Sequence, residues 1–233
     1  MLDHVMPTLS AREPELKAKL LTQLRREKVI SRKAVIANEY VVGRSCTRAD
    51  LAILESKFIG IEIKSEVDSL RRLSQQIRSY SQYFDEIILV VADKHQDAIP
   101  ADIESLVRIW TVDRKGLLNA APVQSERMPV DRLALSYLLT KEEKRRFLST
   151  PDSTAGDGDR RAFSAAFRAK FGATSAAFWR QVGRRSVSAA DLSRLSRFHE
   201  HRVNQRQYAE DRKQAWTQWA DAPQRANELM EDR

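Results

Sequence analysis

The sequence predicts a mixed α/β fold, a sheet flanked by helices and followed by an all-helical C-terminal extension. Three observations carry this. The run Glu86 to Ala92 is almost wholly apolar and is preceded by Asp85 and followed by Asp93, as for a central strand buried on both faces. Ahead of it, Ala49 to Leu54 and Phe58 to Lys64 read as two strands joined by a tight turn at Glu55-Ser56-Lys57. Beyond residue 131 the strand signals stop and apolar residues recur at helical spacing.

The elements follow in chain order. Leu16, Leu20, Leu21 and Leu24 give residues 14–28 an amphipathic helix, with Pro14 in the first turn, where a missing N–H costs nothing. Ser31 is placed to cap a short second helix into Ala37. Tyr40 to Val42 reads as a short strand ended by Gly43. After the hairpin, Asp68 is placed to open a helix to about Phe84, with Leu70, Leu73 and Ile77 on one face. Residues 101–106 read as a short helix and 107–112 as a strand. Residues 131–148 read as helical, and 149–159, STPDSTAGDGD, as a linker by composition. Phe163, Phe167 and Phe171 recur every four residues, as core positions of a helix that Gly172 ends. Thr174 and Ser188 are placed to cap two further helices. The chain thus divides into an α/β domain, residues 1–125, and a basic helical extension, residues 131–233.

Composition narrows the class. The 233 residues suffice for one full domain and a smaller appendage, and 42% hydrophobic with 31% charged residues is a globular balance. The formal net charge is +8. Residues 1–150 hold 25 Lys+Arg against 21 Asp+Glu, and residues 151–233 hold 15 against 11, so positive charge is denser in the second part. A basic balance favours a polyanionic partner. The single cysteine, Cys46, excludes an intrachain disulfide framework and thiolate metal clusters. The start, MLDHVMPTLS, lacks the basic and apolar regions of a secretory signal, and no run approaches 18 apolar residues. A cytoplasmic protein that does not engage a membrane is the expectation. No G-x-x-x-x-G-K-[ST] motif points to a fused ATP motor.

The chemistry centres on the hairpin. With a three-residue loop, Leu54 faces Phe58, Ala52 faces Gly60 and Asp50 faces Glu62. Glu62 and Lys64 are two apart on one strand and share that face, while Ile61 and Ile63 point the other way. Two opposed carboxylates repel unless a cation lies between them. Magnesium takes hard oxygen ligands of this kind, acidifies a water and neutralises charge on a phosphate oxygen. A lysine on the same face suits a phosphate or an attacking hydroxide. Glu-x-Lys alone is common on solvated strands. Here it lies between apolar residues, opposes an aspartate and leads into a helix.

The segments RADLAIL, GIEIKSE and DSLRRLSQQIRSYSQYFDEIILVV resemble the PD-(D/E)XK nuclease superfamily, most closely a bacterial and prophage-associated branch. The resemblance covers residues 39–113, with a looser helical match around FGATSAAFWRQV. It departs from the pattern at the proline, which is Ala49 here. It implies a restriction-endonuclease-like sheet and a Mg²⁺-dependent deoxyribonuclease, with Mn²⁺ able to substitute. Asp50 and Glu62 would hold the metal, with the Ile63 carbonyl as a further ligand, and Lys64 would position the water. Gln76 and Tyr80, four apart on the following helix with Asp68 and Arg72, match the QxxxY element that lies beside the metal in part of the superfamily. Glu39, ahead of the first strand, stands where many members place an additional acidic ligand.

Arg48, Arg72, Arg184 and Arg185 are candidate phosphate contacts on DNA, with RNA also open as a substrate, and a homodimer is a natural way to cut both strands. Trp216 and Trp219 read more readily as helix packing than as stacking platforms, and His199 and His201 point apart on a helix. The alternative to an enzyme is a nuclease fold used only to bind nucleic acid or a protein partner.

Overall fold

A computed structural model describes residues 13–43, 47–113, 116–120, 132–148 and 155–195. The chain forms two compact units, Met1–Ser196 and Arg197–Arg233, and every described residue belongs to the first. His199, His201, Trp216 and Trp219 lie outside the described residues.

Among the described residues the sheet has six strands in chain order: β1 (Val35–Val42), β2 (Thr47–Leu54), β3 (Phe58–Lys64), β4 (Glu86–Ala92), β5 (Arg108–Val112) and β6 (Leu118–Ala120). The pairs β1–β2, β2–β3 and β5–β6 are antiparallel, and β3–β4–β5 run parallel. This is the mixed α/β architecture expected. The apolar run of β4 is central, with the crossover helices of the parallel strands covering one face and the N-terminal helix the other. Residues Ile87 to Ala92 are buried accordingly.

Helices flank the sheet. On one face α2 (Leu73–Ser81) and the short α3 (Ala101–Glu104) bury Leu73, Ile77, Tyr80 and Ile103 against Ala52, Leu54, Phe58 and Leu89. On the other, α1 (Glu13–Arg26) buries Leu16, Leu20, Leu21 and Leu24 against Ile36, Leu51, Ile53, Ile61 and Val90. After a 3-10 turn (Arg132–Leu138) and α4 (Lys141–Phe147), the long α5 (Ala155–Val182) runs past the β1 edge. Its Phe163, Phe167 and Phe171 enter the first core; its Phe178, Trp179 and Val182 enter the second. On the way Ser175 Oγ accepts the Ile36 N–H at 2.8 Å, and Trp179 Nε1 donates to the Ala34 carbonyl at 2.8 Å. The helix thereby occupies hydrogen-bonding groups that an open strand edge would expose.

Four elements differ from expectation. Residues 31–37 are not a helix. Ser31 bonds Glu55 through its N–H and its hydroxyl, and alternation places Val35 and Ala37 in one core and Ile36 in the other, so β1 begins early. Asp68 does not cap α2, which starts at Leu73. It closes the turn after β3 instead, accepting the Ser65 N–H at 2.8 Å and hydroxyl at 2.6 Å. Residues 149–154 lie outside the described residues, and 155–159 are already helical, so that part of the expected linker belongs to α5. Gly172 does not end a helix, and Thr174 caps none. Both lie inside α5, and a Cβ on Gly172 would meet nothing within 4 Å. Ser188 does precede a helical turn, the 3-10 segment Ala189–Leu195.

Candidate active site

The expected hairpin register holds, with Leu54 opposite Phe58, Ala52 opposite Gly60 and Leu51 opposite Ile61. Gly60 is required there: a Cβ would come within 2.5 Å of the Phe84 ring, which packs on Phe58. The ladder stops one step further, at Asp50 and Glu62. In the β1–β2 pair the register runs from Val35–Leu54 to Val42–Thr47 but skips Glu39 and Asp50. Glu39, Asp50 and Glu62 thus occupy successive places in one row across three strands, at the points where the backbone pairing opens.

Both β1 and β2 change face at that row. Ala37 and Tyr40, three apart, pack into the same core, as do Ala49 and Ala52. Strict alternation would send them to opposite faces. Glu39 absorbs the change with a left-handed backbone, φ 57°, a conformation uncommon for a non-glycine residue. Asp50 takes over a ladder role through its side chain, its Oδ2 accepting the Ile63 N–H at 2.6 Å.

Glu62 is buried, at 3% exposure, and is held from three sides. Its Oε1 accepts from Lys64 Nζ at 2.6 Å and from Gln76 Nε2 at 2.8 Å, and its Oε2 faces the Tyr80 hydroxyl at 2.8 Å. That hydroxyl also lies 2.7 Å from the Arg48 carbonyl, so one proton serves two acceptors. Burial, with the Glu62 charge and hydrogen bond, holds the Tyr80 phenol far above its ordinary range, so it stays a donor. Gln76 and Tyr80, one helical turn apart on α2, clamp this carboxylate. The Gln76 Oε1 is buried with no hydrogen-bond partner.

Asp50 is pushed up to about 7, first by burial and then by the Glu62 charge; Lys17 and the Ile63 N–H pull the other way. A carboxylate so placed is stabilised in its charged form by a cation. Asp50 and Glu62 line a pocket of about 550 Å³ with Val41, Thr47, Arg48, Arg72, Gln75 and Gln76.

Of the candidate phosphate contacts, Arg48 and Arg72 line this pocket, and Arg48 Nε pairs with Glu39 Oε2 at 2.7 Å. Arg184 and Arg185 do not line it. They follow α5, and Arg185 forms two 2.7 Å hydrogen bonds to Asp191. The Ile63 backbone sits in the β3–β4 ladder opposite Val90.

Sequence reasoning passed over three residues beside the site. Lys17 of α1 is buried, with Nζ 2.6 Å from Glu13, 2.5 Å from Glu39 and 3.0 Å from Asn38 Oδ1. Burial pulls the Lys17 pKa down, but hydrogen bonds to Glu13 and Glu39 and the Asp50 and Glu13 charges outweigh it, and the pKa is raised. Carboxylate oxygens of Glu13, Glu39 and Asp50 lie within 4.8 Å of one another. A signal was present: Glu13 and Lys17 are four apart, and Lys17 stands amid the apolar stripe of α1, where an unpaired lysine is disfavoured.

The family model for bacteriophage P4 protein cII matches residues 6–196. The chain belongs to the phage P4 protein cII family. Protein cII of Enterobacteria phage P4 is 36% identical over 98 residues, which are 42% of this chain and 37% of that protein. The chain therefore aligns with little more than a third of that relative. Among solved structures, the SPO1766 protein of unknown function from Silicibacter pomeroyi is similar at 18% identity, with a TM-score of 0.42 over 75% of this chain and 93% of that one. The family match takes in the whole sheet, α1 and α5, and so every residue of the pocket.

Proposed function

We propose that the chain is a metal-dependent deoxyribonuclease of the PD-(D/E)XK type with a restriction-endonuclease-like sheet, acting in the cytoplasm in a phage-associated role. The observation that carries this reading is the convergence of Asp50, Glu62 and Lys64 at the opening between β2 and β3, with Glu62 clamped by Gln76 and Tyr80.

The donor set fits a Mg²⁺ or Mn²⁺ ion. Two carboxylates of the right hardness stand in adjacent strands, Asp50 is raised by burial and by the Glu62 charge, and the unpartnered Gln76 Oε1 is an acceptor for a water held there. Asp50 and Glu62 would hold the ion, with the Ile63 carbonyl and Glu39 as candidate further ligands. The chemistry such an ion supplies is Lewis acidity toward a phosphate oxygen and acidification of a water.

The chain's own residues do the rest. Gln76 and Tyr80 fix the Glu62 carboxylate, so that its orientation does not depend on its own rotamer freedom. Lys64 pairs with Glu62 at rest and, released, presents an ammonium to the non-bridging phosphate oxygens. Arg48 and Arg72 at the pocket mouth attract the flanking backbone phosphates. Among the described residues no helix is long and apolar enough to cross a membrane.

The substrate test offers circular and linear, single- and double-stranded DNA, and RNA of matched sequence, to the full chain with Mn²⁺. The expected result is DNA cleavage that EDTA abolishes. Preference for RNA would move the substrate class, and sedimentation of the same sample would show whether a homodimer cuts.

A further inference from the structure

We propose that the Lys17 ammonium is a resident cation standing where a second divalent ion would otherwise sit among Glu13, Glu39 and Asp50, so that the site takes one metal ion and not two. This rests on the metal-site reading above and adds its stoichiometry. Lys17 acts as a positioning residue: it touches no substrate and works through the carboxylates it holds.

The geometry is that of an occupied cation site. Lysine offers three N–H donors. Lys17 spends them on Glu13, Glu39 and Asn38, at 2.6, 2.5 and 3.0 Å, with its side chain 4% exposed. A buried ammonium needs partners of this kind. The three carboxylates meanwhile converge closely enough for one ion to bridge them. Glu39 reaches this place only by leaving the β1–β2 ladder and taking a left-handed backbone, which is strained for a residue with a side chain.

Charge counting agrees. Around the row stand four carboxylates, Glu13, Glu39, Asp50 and Glu62, against three cations, Lys17, Arg48 and Lys64. One divalent ion overturns the remaining single negative charge. A second would leave a strongly positive cluster unless Lys17 withdrew, and α1 holds Lys17 in place through the buried Leu16, Leu20 and Leu21 around it.

The test counts Mn²⁺ ions by calorimetric titration and by electron paramagnetic resonance, which separates isolated ions from a spin-coupled pair. The full-length wild type, Lys17→Met and Lys17→Arg are compared. The wild type and Lys17→Arg are expected to bind one uncoupled ion, and Lys17→Met two coupled ions. Two ions in the wild type, or one ion in folded Lys17→Met, would overturn the inference while leaving the metal site standing. No ion in the wild type would overturn both. If Lys17→Met does not fold, Glu13→Gln decides. Glu13 then serves Lys17 and not the metal, so Mn²⁺ affinity should hold within about threefold. A loss of about tenfold or more, the scale seen when a residue supporting a metal is removed, would overturn the proposal.

Discussion

At the scale of single residues, the site turns on Glu62, which Lys64, Gln76 and Tyr80 hold. Lys64 holds its Oε1, so under the proposed function Lys64→Ala removes both a competitor for the metal and a contact to the phosphate. Cleavage should fall by about 10²–10³, the usual loss for one transition-state contact, while Mn²⁺ affinity is kept or increased. Single-turnover cleavage and metal titration on one preparation check this. A loss of metal binding would instead make Lys64 a purely structural partner of Glu62.

Asp50 gives a pH signature. Its carboxyl is raised to about 7 in the folded chain, against an ordinary value of 3.8. Between these values the folded state binds more protons than the unfolded one, so stability falls as pH rises. The penalty is absent below the ordinary value and complete above about pH 7. The metal-free wild type should therefore melt at a lower temperature at pH 8 than at pH 5, and Asp50→Asn should flatten this difference. Mn²⁺ at pH 8 should restore the wild type but not the variant. The hairpin register that opposes Asp50 to Glu62 was legible from a three-residue loop and period-two arithmetic. The Lys17 cluster was not, because it joins α1 to β1 across the sheet and no local spacing relates residue 17 to residue 39.

At the scale of elements, two glycines make opposite predictions. Gly60→Ala drives a Cβ into the Phe84 ring and should destabilise the chain by about 1–3 kcal/mol. Gly172→Ala meets open space inside α5 and should stabilise it by about 0.5–1 kcal/mol. Chemical denaturation of the two variants checks both. The strands were readable because β-branched runs and the tight turn fix them locally. The length of α5 was not, because Gly172 reads as a helix end until tertiary packing on either side, Phe171 in one core and Phe178 in the other, holds the helix through it. The early start of β1 was hidden similarly, since Ser31 is claimed by Glu55 from the neighbouring turn rather than by a helix.

At the scale of the whole molecule, the sheet and α5 share both cores. Ending the chain at residue 150 removes Phe163, Phe167, Phe171, Phe178 and Trp179 from both cores and uncovers the β1 edge. That fragment should show no cooperative thermal transition, whereas a chain ending at Ser196 should melt as one unit. A cooperative 1–150 fragment would show that α5 is an accessory.

We propose that the opening between β2 and β3 cuts nucleic acid with a metal held by Asp50 and Glu62. The most direct test is Mn²⁺-dependent conversion of supercoiled circular DNA to nicked and linear forms, run in parallel with the wild type and Asp50→Asn at equal concentration. Asp50→Asn keeps the shape of the side chain and an oxygen for the Ile63 N–H, so the fold persists while the charge is lost. The wild type is expected to cut and the variant to leave the DNA intact. Equal cleavage by both, or an inert wild type that nonetheless binds DNA, would contradict the proposal.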